Sequence, residues 1–234
     1  MTIQALIDAL NGQGHRDVID TSTLTRALHT SDASLYRIEP QAVATPRSTD
    51  ELIAVATTAI ELGIPITPRG AGTSCAGNAV GPGLISDTRR HLQRIHHIDP
   101  EARTAIIDPG VIQATLTAAG QEHGLRFGPD PSTFTRCTVG GMIGNNACGP
   151  RALGYGRSAD NVVRLKVVTG TGELVDTAAP PTSLTEPLHE LVNSNLGLIR
   201  TEFGRFTRQV SGYSMEHLLP ERKRPSAKPF SGTE

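Results

Sequence analysis

The sequence predicts an α+β fold that opens with a small parallel βαβ unit and continues into hairpin-forming strands with flanking helices. Three observations carry this. A capped amphipathic helix lies between two short apolar runs near residues 42 and 67. Such a strand, helix, strand order makes the two strands parallel. An alternating run from Val162 to Thr169, followed by Gly170-Thr171-Gly172, reads as an antiparallel hairpin.

Taken in order, residues 1–30 read as short helices and Ser31 to Pro40 as a loop. Ala42 to Thr45 is a short apolar strand ended by Pro46. Ser48 and Glu51 form an S-x-x-E capping box, and Leu52, Val55, Ala56, Ala59 and Ile60 follow at helical spacing. Gly63 stops that helix, and Ile64 to Thr67 is a buried strand. A further short strand falls near Leu84 to Ser86 and another at Thr104 to Asp108. Pro109-Gly110 turns the chain into a helix over Val111 to His123, with Val111, Ala114, Thr115, Ala118 and Ala119 on one face. Gly128 to Gly156 is a long aperiodic loop of low charge, which points to function rather than disorder. After the hairpin, whose second strand is Glu173 to Asp176, Leu184 to Phe203 reads as a helix built on Leu188, Leu191, Val192, Asn195 and Ile199. The tail from Glu221 to Pro229 is polar and expected to be exposed.

Composition narrows the function. The chain has 234 residues and is 37% hydrophobic, enough for a core, but only 3% aromatic, so aliphatic side chains must fill it. A formal net charge of -1 argues against a sequence-independent nucleic-acid binder. No apolar run reaches membrane-spanning length, and the N-terminus reads as an amphipathic helix rather than a signal peptide. The expected location is the cytoplasm, at a membrane surface only through a partner. Cys75, Cys137 and Cys148 form no CxxC pair, against a disulfide framework or zinc site. They read as small buried fillers of Gly-rich loops, with a redox or cluster-ligand role as the alternative. His96 and His97 read as surface residues between strands, and Arg222 to Arg224 as a solvated loop.

The 24 glycines cluster where chemistry is expected. Pro68-Arg69-Gly70-Ala71-Gly72-Thr73-Ser74-Cys75-Ala76-Gly77, followed by Asn78, can turn several backbone N–H groups into one concavity for phosphate oxygens. Arg69 either adds charge or braces the loop. The dinucleotide fingerprint GxGxxG and the P-loop both fail here, because Gly72 is followed by no glycine until Gly77 and Gly77 by no Lys-Ser/Thr. Taken alone, this loop reads equally as a structural turn. A second run, Thr138-Val-Gly140-Gly141-Met-Ile-Gly144-Asn145-Asn146-Ala147-Cys-Gly149, can begin a short helix at Thr138 and present N–H groups to another anion. Asn145 and Asn146 suit a heterocycle edge or a polyol. Pro129-Asp-Pro131-Ser132 is a rigid turn before it; Tyr155-Gly156 and Asp160-Asn-Val162 follow it.

In that order these motifs resemble the FAD-binding domain of the vanillyl-alcohol oxidase, or PCMH, type, and within it the FAD-linked 2-hydroxy-acid dehydrogenases: D-lactate dehydrogenase, the flavin-bearing chain of glycolate oxidase and D-2-hydroxyglutarate dehydrogenase. The run NNACGPRALGYG is most similar to long bacterial members fused to an iron–sulfur segment. The resemblance implies a fold of two α/β subdomains, with residues 1–37 as an N-terminal helical segment and 38–234 as the FAD-binding domain. It implies that Pro68 to Gly77 with Asn78 wraps the pyrophosphate, and that Pro131, Ser132, Thr138, Gly140 and Gly141 contact the pyrophosphate and ribityl region. Gly144 to Gly149, through Asn145, Asn146 and Ala147, and Tyr155-Gly156 would line the flavin. Val162 would offer its backbone to the adenine part, near Val43 and Pro46. With no His between Pro68 and Gly77, non-covalent FAD is implied, with Cys75 the remote covalent alternative.

Relatives continue past a GTEGTLG-like motif into a substrate-covering region that supplies the catalytic base and carboxylate clamp. This sequence stops inside that motif at Ser231-Gly-Thr-Glu234, so it is expected to lack its last strand, to leave a β edge open and to have no catalytic residue of its own. The implied activity is oxidation of a D-2-hydroxy acid, completed by a substrate domain and passed to an iron–sulfur or other electron-acceptor partner. Alone, the chain is expected to hold FAD weakly or not at all. A non-catalytic FAD-binding remnant is the alternative, and a nucleotide-sugar reductase of the same fold is a third reading that NNACGPRALGYG fits less well.

Overall fold

A computed structural model of the chain describes residues 2–179, 185–203, 205, 213–222 and 227–231. Its element order is α1 (Ile3–Gly12), β1 (Ile19–Asp20), α2 (Thr23–Leu28), β2 (Ala42–Ala44), α3 (Thr49–Glu61), β3 (Ile66–Arg69), β4 (Leu84–Asp87), β5 (Ile95–Asp99), β6 (Thr104–Ile107), α4 (Gln113–Gln121), α5 (Val139–Gly144), α6 (Ala152–Tyr155), β7 (Lys166–Val168), β8 (Leu174–Asp176), α7 (Thr185–Ser194) and α8 (Leu196–Glu202). Short 3-10 turns occupy Ser158–Asn161, Met215–Leu218 and Lys228–Phe230.

The βαβ unit is present and its strands are parallel, but they are not adjacent. The sheet order is β1-β2-β4-β3, so β4 sits between them, with Val43 opposite Ile85 and Ile85 opposite Thr67. β3 is therefore an edge strand, which is why Pro68 is tolerated inside it. β1, in a stretch whose pattern predicts only helices, pairs antiparallel with β2. Alternation sends Ala42, Ala44 and Leu84 to one face, where Leu6, Leu10 and Val18 join Val55, Ala59 and Ile64 in one core. The small alanines let the helices approach, and each buried Leu contributes about 1.5–3 kcal/mol.

α3 is capped as its sequence implies at Ser48, whose Oγ accepts from the Glu51 N–H at 3.1 Å. The reciprocal half of the box is shifted by one residue. Glu51 accepts from the N–H of Arg47, not Ser48, and so fixes the chain as it enters the helix. At the other end Gly63 takes φ +65°. Its N–H reaches Ile60 O and that of Ile64 reaches Ala59 O, a Schellman termination.

The larger mixed sheet is represented, among the described residues, by two antiparallel ribbons, β5-β6 and β7-β8. Residues 108–165 between them are spent on helices and turns instead. His96 and His97 are exposed but lie within β5, and His96 Nε2 is 2.7 Å from Asp108 Oδ1. The strand expected from Val162 to Thr169 shrinks to β7. α4 starts two residues late and its buried face is Gln113, Leu116 and Gly120, with Thr115 and Ala118 outward. The cause is Gln113, whose Nε2 donates to Pro129 O (3.0 Å) and Phe127 O (3.3 Å). Val111, Leu116 and Val139 form the second core with Ile95, Ile107, Phe127 and Ile143.

The long helix expected from Leu184 is two helices among the described residues, which begin at 185. The break is at Asn195, whose side-chain amide donates to Leu191 O at 2.8 Å and competes with the backbone ladder. Val192, Ile199 and Leu219 make a third core. The tail departs from its expected exposure: Arg222 is exposed, but Ala227 and Ser231 are buried. Residues 223–226 and 232–234, which include most of the basic run and the last of the terminal motif, lie outside the described residues.

Beside that third core, burial, with the charges of Lys228, Arg222 and Arg157, pushes His217 down to about 4 from 6.5, against the opposing pull of Asp160. The neutral imidazole is the folded form. Its contribution is therefore present in full above pH 6.5 and lost as pH falls towards 4. Thermal unfolding followed from pH 7 to pH 4 is expected to show a declining midpoint, and His217→Gln is expected to flatten that decline.

Candidate functional site

The first Gly-rich loop, residues 70–78, is the crossover from β3 to β4. Its geometry is that of an open nest. Among the described residues, the backbone N–H groups of Gly70, Ala71, Gly72, Thr73, Ser74 and Cys75 make no hydrogen bond within the chain. Six successive amides without partners, in a segment that is mostly half-buried, are donors awaiting an acceptor. Gly72 at φ +64° gives the left-handed step by which successive N–H groups converge.

The loop is held in this form by side chains. Arg69 braces rather than reaches outward: Nη1 donates to Ala79 O at 2.8 Å and Nη2 to Ser31 O at 2.9 Å. Ser74 Oγ donates to Asn78 Oδ1 at 2.8 Å and accepts from Ala76 N–H. Asp32 accepts from Ala79 N–H at 3.3 Å. Burial opposes ionisation of Asp32, but hydrogen bonds from Ser34 and Ala79 and the charge of Arg69 outweigh it and hold the carboxyl below its ordinary value. Asp32 was invisible in the sequence because its partners are main-chain groups 2 and 47 residues away.

The second loop meets the first at one point. A Cβ on Gly70 would overlap Thr138 Oγ1, so the two loops touch because position 70 has no side chain. Thr138 is buried and, as its sequence implies, caps α5, with Oγ1 accepting from Gly141 N–H at 3.2 Å. The expected display of helix N–H groups is not there. Val139 N–H donates to Val111 O and Gly140 N–H to Pro109 O, both at 2.8 Å, so the first turn of α5 is spent on anchoring the loop. Among the described residues, it is the first loop and not the first turn of α5 that leaves amides without a partner in the chain.

The other expected residues surround this junction or support it. Pro131 and Ser132 sit in the turn after Asp130, which holds Arg151 through a 3.0 Å ion pair and packs its carbonyl against Gly149. Asn146 is buried at φ +51° and its Oδ1 accepts from Ala159 N–H, so it ties the second loop to the Ser158–Asn161 turn, while Asn145 is exposed. Ala147 is half-buried and its carbonyl accepts from Ser158. Tyr155 stands partly exposed, with Arg126 5.6 Å above its ring. Gly156 adopts φ +72° against Asp160, and Val162 N–H is turned back to Ala159 O. Val43 is buried inside the sheet. Cys137 is buried, as expected of a filler, and burial pushes its thiol up. Cys75 departs from that reading, being exposed in the first loop. Among the described residues no group of three His, Cys, Asp or Glu side chains is placed to hold a metal ion.

An open sheet crossover presenting a row of free amides, buttressed by a second Gly-rich loop, defines a binding domain for a phosphate-bearing cofactor. Residues 40–178 match the family described as FAD binding domain, and the chain belongs to that family. Its cofactor is FAD, whose pyrophosphate fits the row of amides in charge and in acceptor number. The chain is 32% identical to a D-2-hydroxyglutarate dehydrogenase of Pantoea ananatis over 94% of its own length, and 38% identical to a glycolate oxidase subunit GlcD of Bacillus subtilis over 68%. It spans only 23% and 34% of those two proteins. Among solved structures it resembles alkyldihydroxyacetonephosphate synthase, with TM-score 0.66 and 24% identity over 74% of this chain and 34% of that one. It also resembles 4-ethylphenol oxidase of Gulosibacter chungangensis, with TM-score 0.63 and 18% identity over 74% of this chain. The fold is thus the PCMH type.

The contact at Gly70 gives a coupled prediction. Gly70→Ala is expected to cost about 1–3 kcal/mol by overpacking, and Thr138→Ala about 1 kcal/mol by loss of the cap. In urea unfolding the double variant is expected to lose less than the sum, because removing Oγ1 makes room for the new methyl.

Proposed function

We propose that the chain is the FAD-binding portion of a flavin-dependent oxidoreductase that oxidises a D-2-hydroxy acid of the lactate, glycolate or 2-hydroxyglutarate class. The row of unpaired amides from Gly70 to Cys75 carries the binding half of this reading. The relatives' names carry the substrate half. When bound, the flavin supplies hydride acceptance at its ring. The residues of this chain hold it: the first loop takes the pyrophosphate, Thr138 and the turn at Pro131-Ser132 flank it, and Gly144 to Gly149 with Tyr155-Gly156 face the flavin side. The cofactor is non-covalent in this reading, since the first loop contains no His.

That the chain spans only 23% and 34% of the Pantoea ananatis and Bacillus subtilis relatives supports placing the substrate-holding groups, the base and any iron–sulfur or other electron acceptor in the regions it does not match. The family match begins at residue 40, which supports a boundary near residue 38 between an N-terminal segment and the FAD-binding domain. No helix among the described residues is long and apolar enough to cross a membrane. Three free cysteines suit a reducing compartment such as the cytoplasm.

Titration of the purified chain with FAD, followed by flavin fluorescence, tests the binding half. Saturable quenching of low affinity is expected, the weak end of the range that the sequence implies for the chain alone, with all flavin recovered free after acid precipitation. A well-folded chain that never takes up FAD contradicts the proposal. Adding D-lactate, glycolate or D-2-hydroxyglutarate to the loaded chain is expected to leave the flavin oxidised. Rapid bleaching by the chain alone would place the substrate machinery within it.

A further inference from the structure

Residues 31–37 have the sequence of a plain loop, yet they are tied to the first Gly-rich loop at Gly72 and to the residues that flank it, Arg69 and Ala79. Ala33 N–H donates to Gly72 O at 3.0 Å. Ser31 O receives Arg69, and Asp32 receives Ala79 N–H. The segment is itself closed by the Ser31–Arg37 bridge, by Ser34 N–H donating to Asp32 Oδ1 at 2.8 Å and by Tyr36 N–H donating to Ser34 Oγ at 3.1 Å. These bonds make a strap that crosses the loop and delivers one side chain to it. That side chain is Tyr36. Its ring lies so close to Gly77 that a Cβ there would be 2.5 Å from Cδ2, and Gly77 holds φ +84°. The residue nonetheless remains 59% exposed. A large aromatic side chain left open beside a row of unpaired amides is a wall rather than a core residue.

We propose that this strap is part of the cofactor site and that Tyr36 is its positioning residue, the ring pinning the Gly77 end of the loop so that the amides of Gly70 to Cys75 converge on the dinucleotide pyrophosphate. The proposal rests on the FAD reading above and extends the site to a segment outside the family match, which starts at residue 40. The contact is made by ring carbons, so the phenol hydroxyl is dispensable and the ring is not. Truncating an exposed side chain does not by itself threaten folding.

Two readouts on the full chain separate this idea from the one beneath it. The first needs no FAD. Cys75 is exposed within the loop, so its alkylation by iodoacetamide, located by mass spectrometry, reports how firmly the loop is held. Tyr36→Ala is expected to raise that rate several-fold while the melting midpoint stays close to wild type, and Tyr36→Phe is expected to match wild type. The second is FAD titration, where Tyr36→Ala is expected to weaken binding about tenfold, the equivalent of ~1.4 kcal/mol, with Tyr36→Phe within a factor of about two. Wild-type FAD affinity in Tyr36→Ala overturns the proposal and leaves the FAD reading intact. A Tyr36→Phe defect equal to that of Tyr36→Ala also overturns it, because the ring would then not be the acting part. Faster Cys75 alkylation in a chain whose wild type takes up no FAD removes the FAD reading and the cofactor role of the strap together.

Discussion

The structure depends on keeping a row of backbone amides unpaired. Backbone N–H groups need an acceptor, and a flexible loop would supply one by closing on itself. Here the chain prevents that closure. Arg69 spends its guanidinium on the carbonyls of Ala79 and Ser31, and Asp32 takes the N–H of Ala79. Ser74 and Asn78 lock the far end. Every one of these bonds fixes the loop's outline while leaving Gly70 to Cys75 with donors free. Burial of Arg69 penalises its charge and lowers its pKa, and Asp87 and Asp32 offset part of that penalty.

The rest of the fold supplies the platform. β3 ends at Arg69 and β4 begins at Leu84, parallel and adjacent, so the loop must travel the length of the strand pair to return. The packed face of Leu6, Leu10, Val55 and Leu84 anchors the start of β4, and Ile66 of β3 packs against it. Thr138 then arrives from a second core, built on Val111, Leu116 and Val139, and touches Gly70. The two cores are thus joined beside the loop proposed to take the cofactor, through a residue that caps its own helix with the same oxygen. Gln113 plays the corresponding part behind the second loop, holding the carbonyls that lead into Pro129-Asp130-Pro131-Ser132.

Much of this was legible in sequence because it follows local rules. The S-x-x-E start and glycine stop of α3, the hairpin at Gly170 to Gly172, the short helix capped by Thr138 and the two Gly-rich loops are set by residues within a turn of one another. What escaped was set by distant main-chain partners. β4 takes the place between β2 and β3 by main-chain pairing with both, an order that no side-chain pattern announces. β1 is too short to show alternation. Gln113 is a polar residue on an inward face, so the apolar period misplaced the face of α4. The α5 amides were expected to bind an anion, but Val111 O and Pro109 O, 28 and 31 residues away in sequence, had already taken them. Tyr36 carries no motif, and only its approach to Gly77 marks it.

In the proposed site the pyrophosphate of FAD is received by the amides of Gly70 to Cys75 and not by the start of α5. Amide NMR of the labelled chain titrated with FAD tests it residue by residue. The account predicts large downfield amide-proton shifts confined to Gly70 to Cys75 and the neighbouring Thr138, with Val139, Gly140 and Gly141 little changed. Shifts concentrated at Val139 to Gly141, with Gly70 to Cys75 undisturbed, would contradict it.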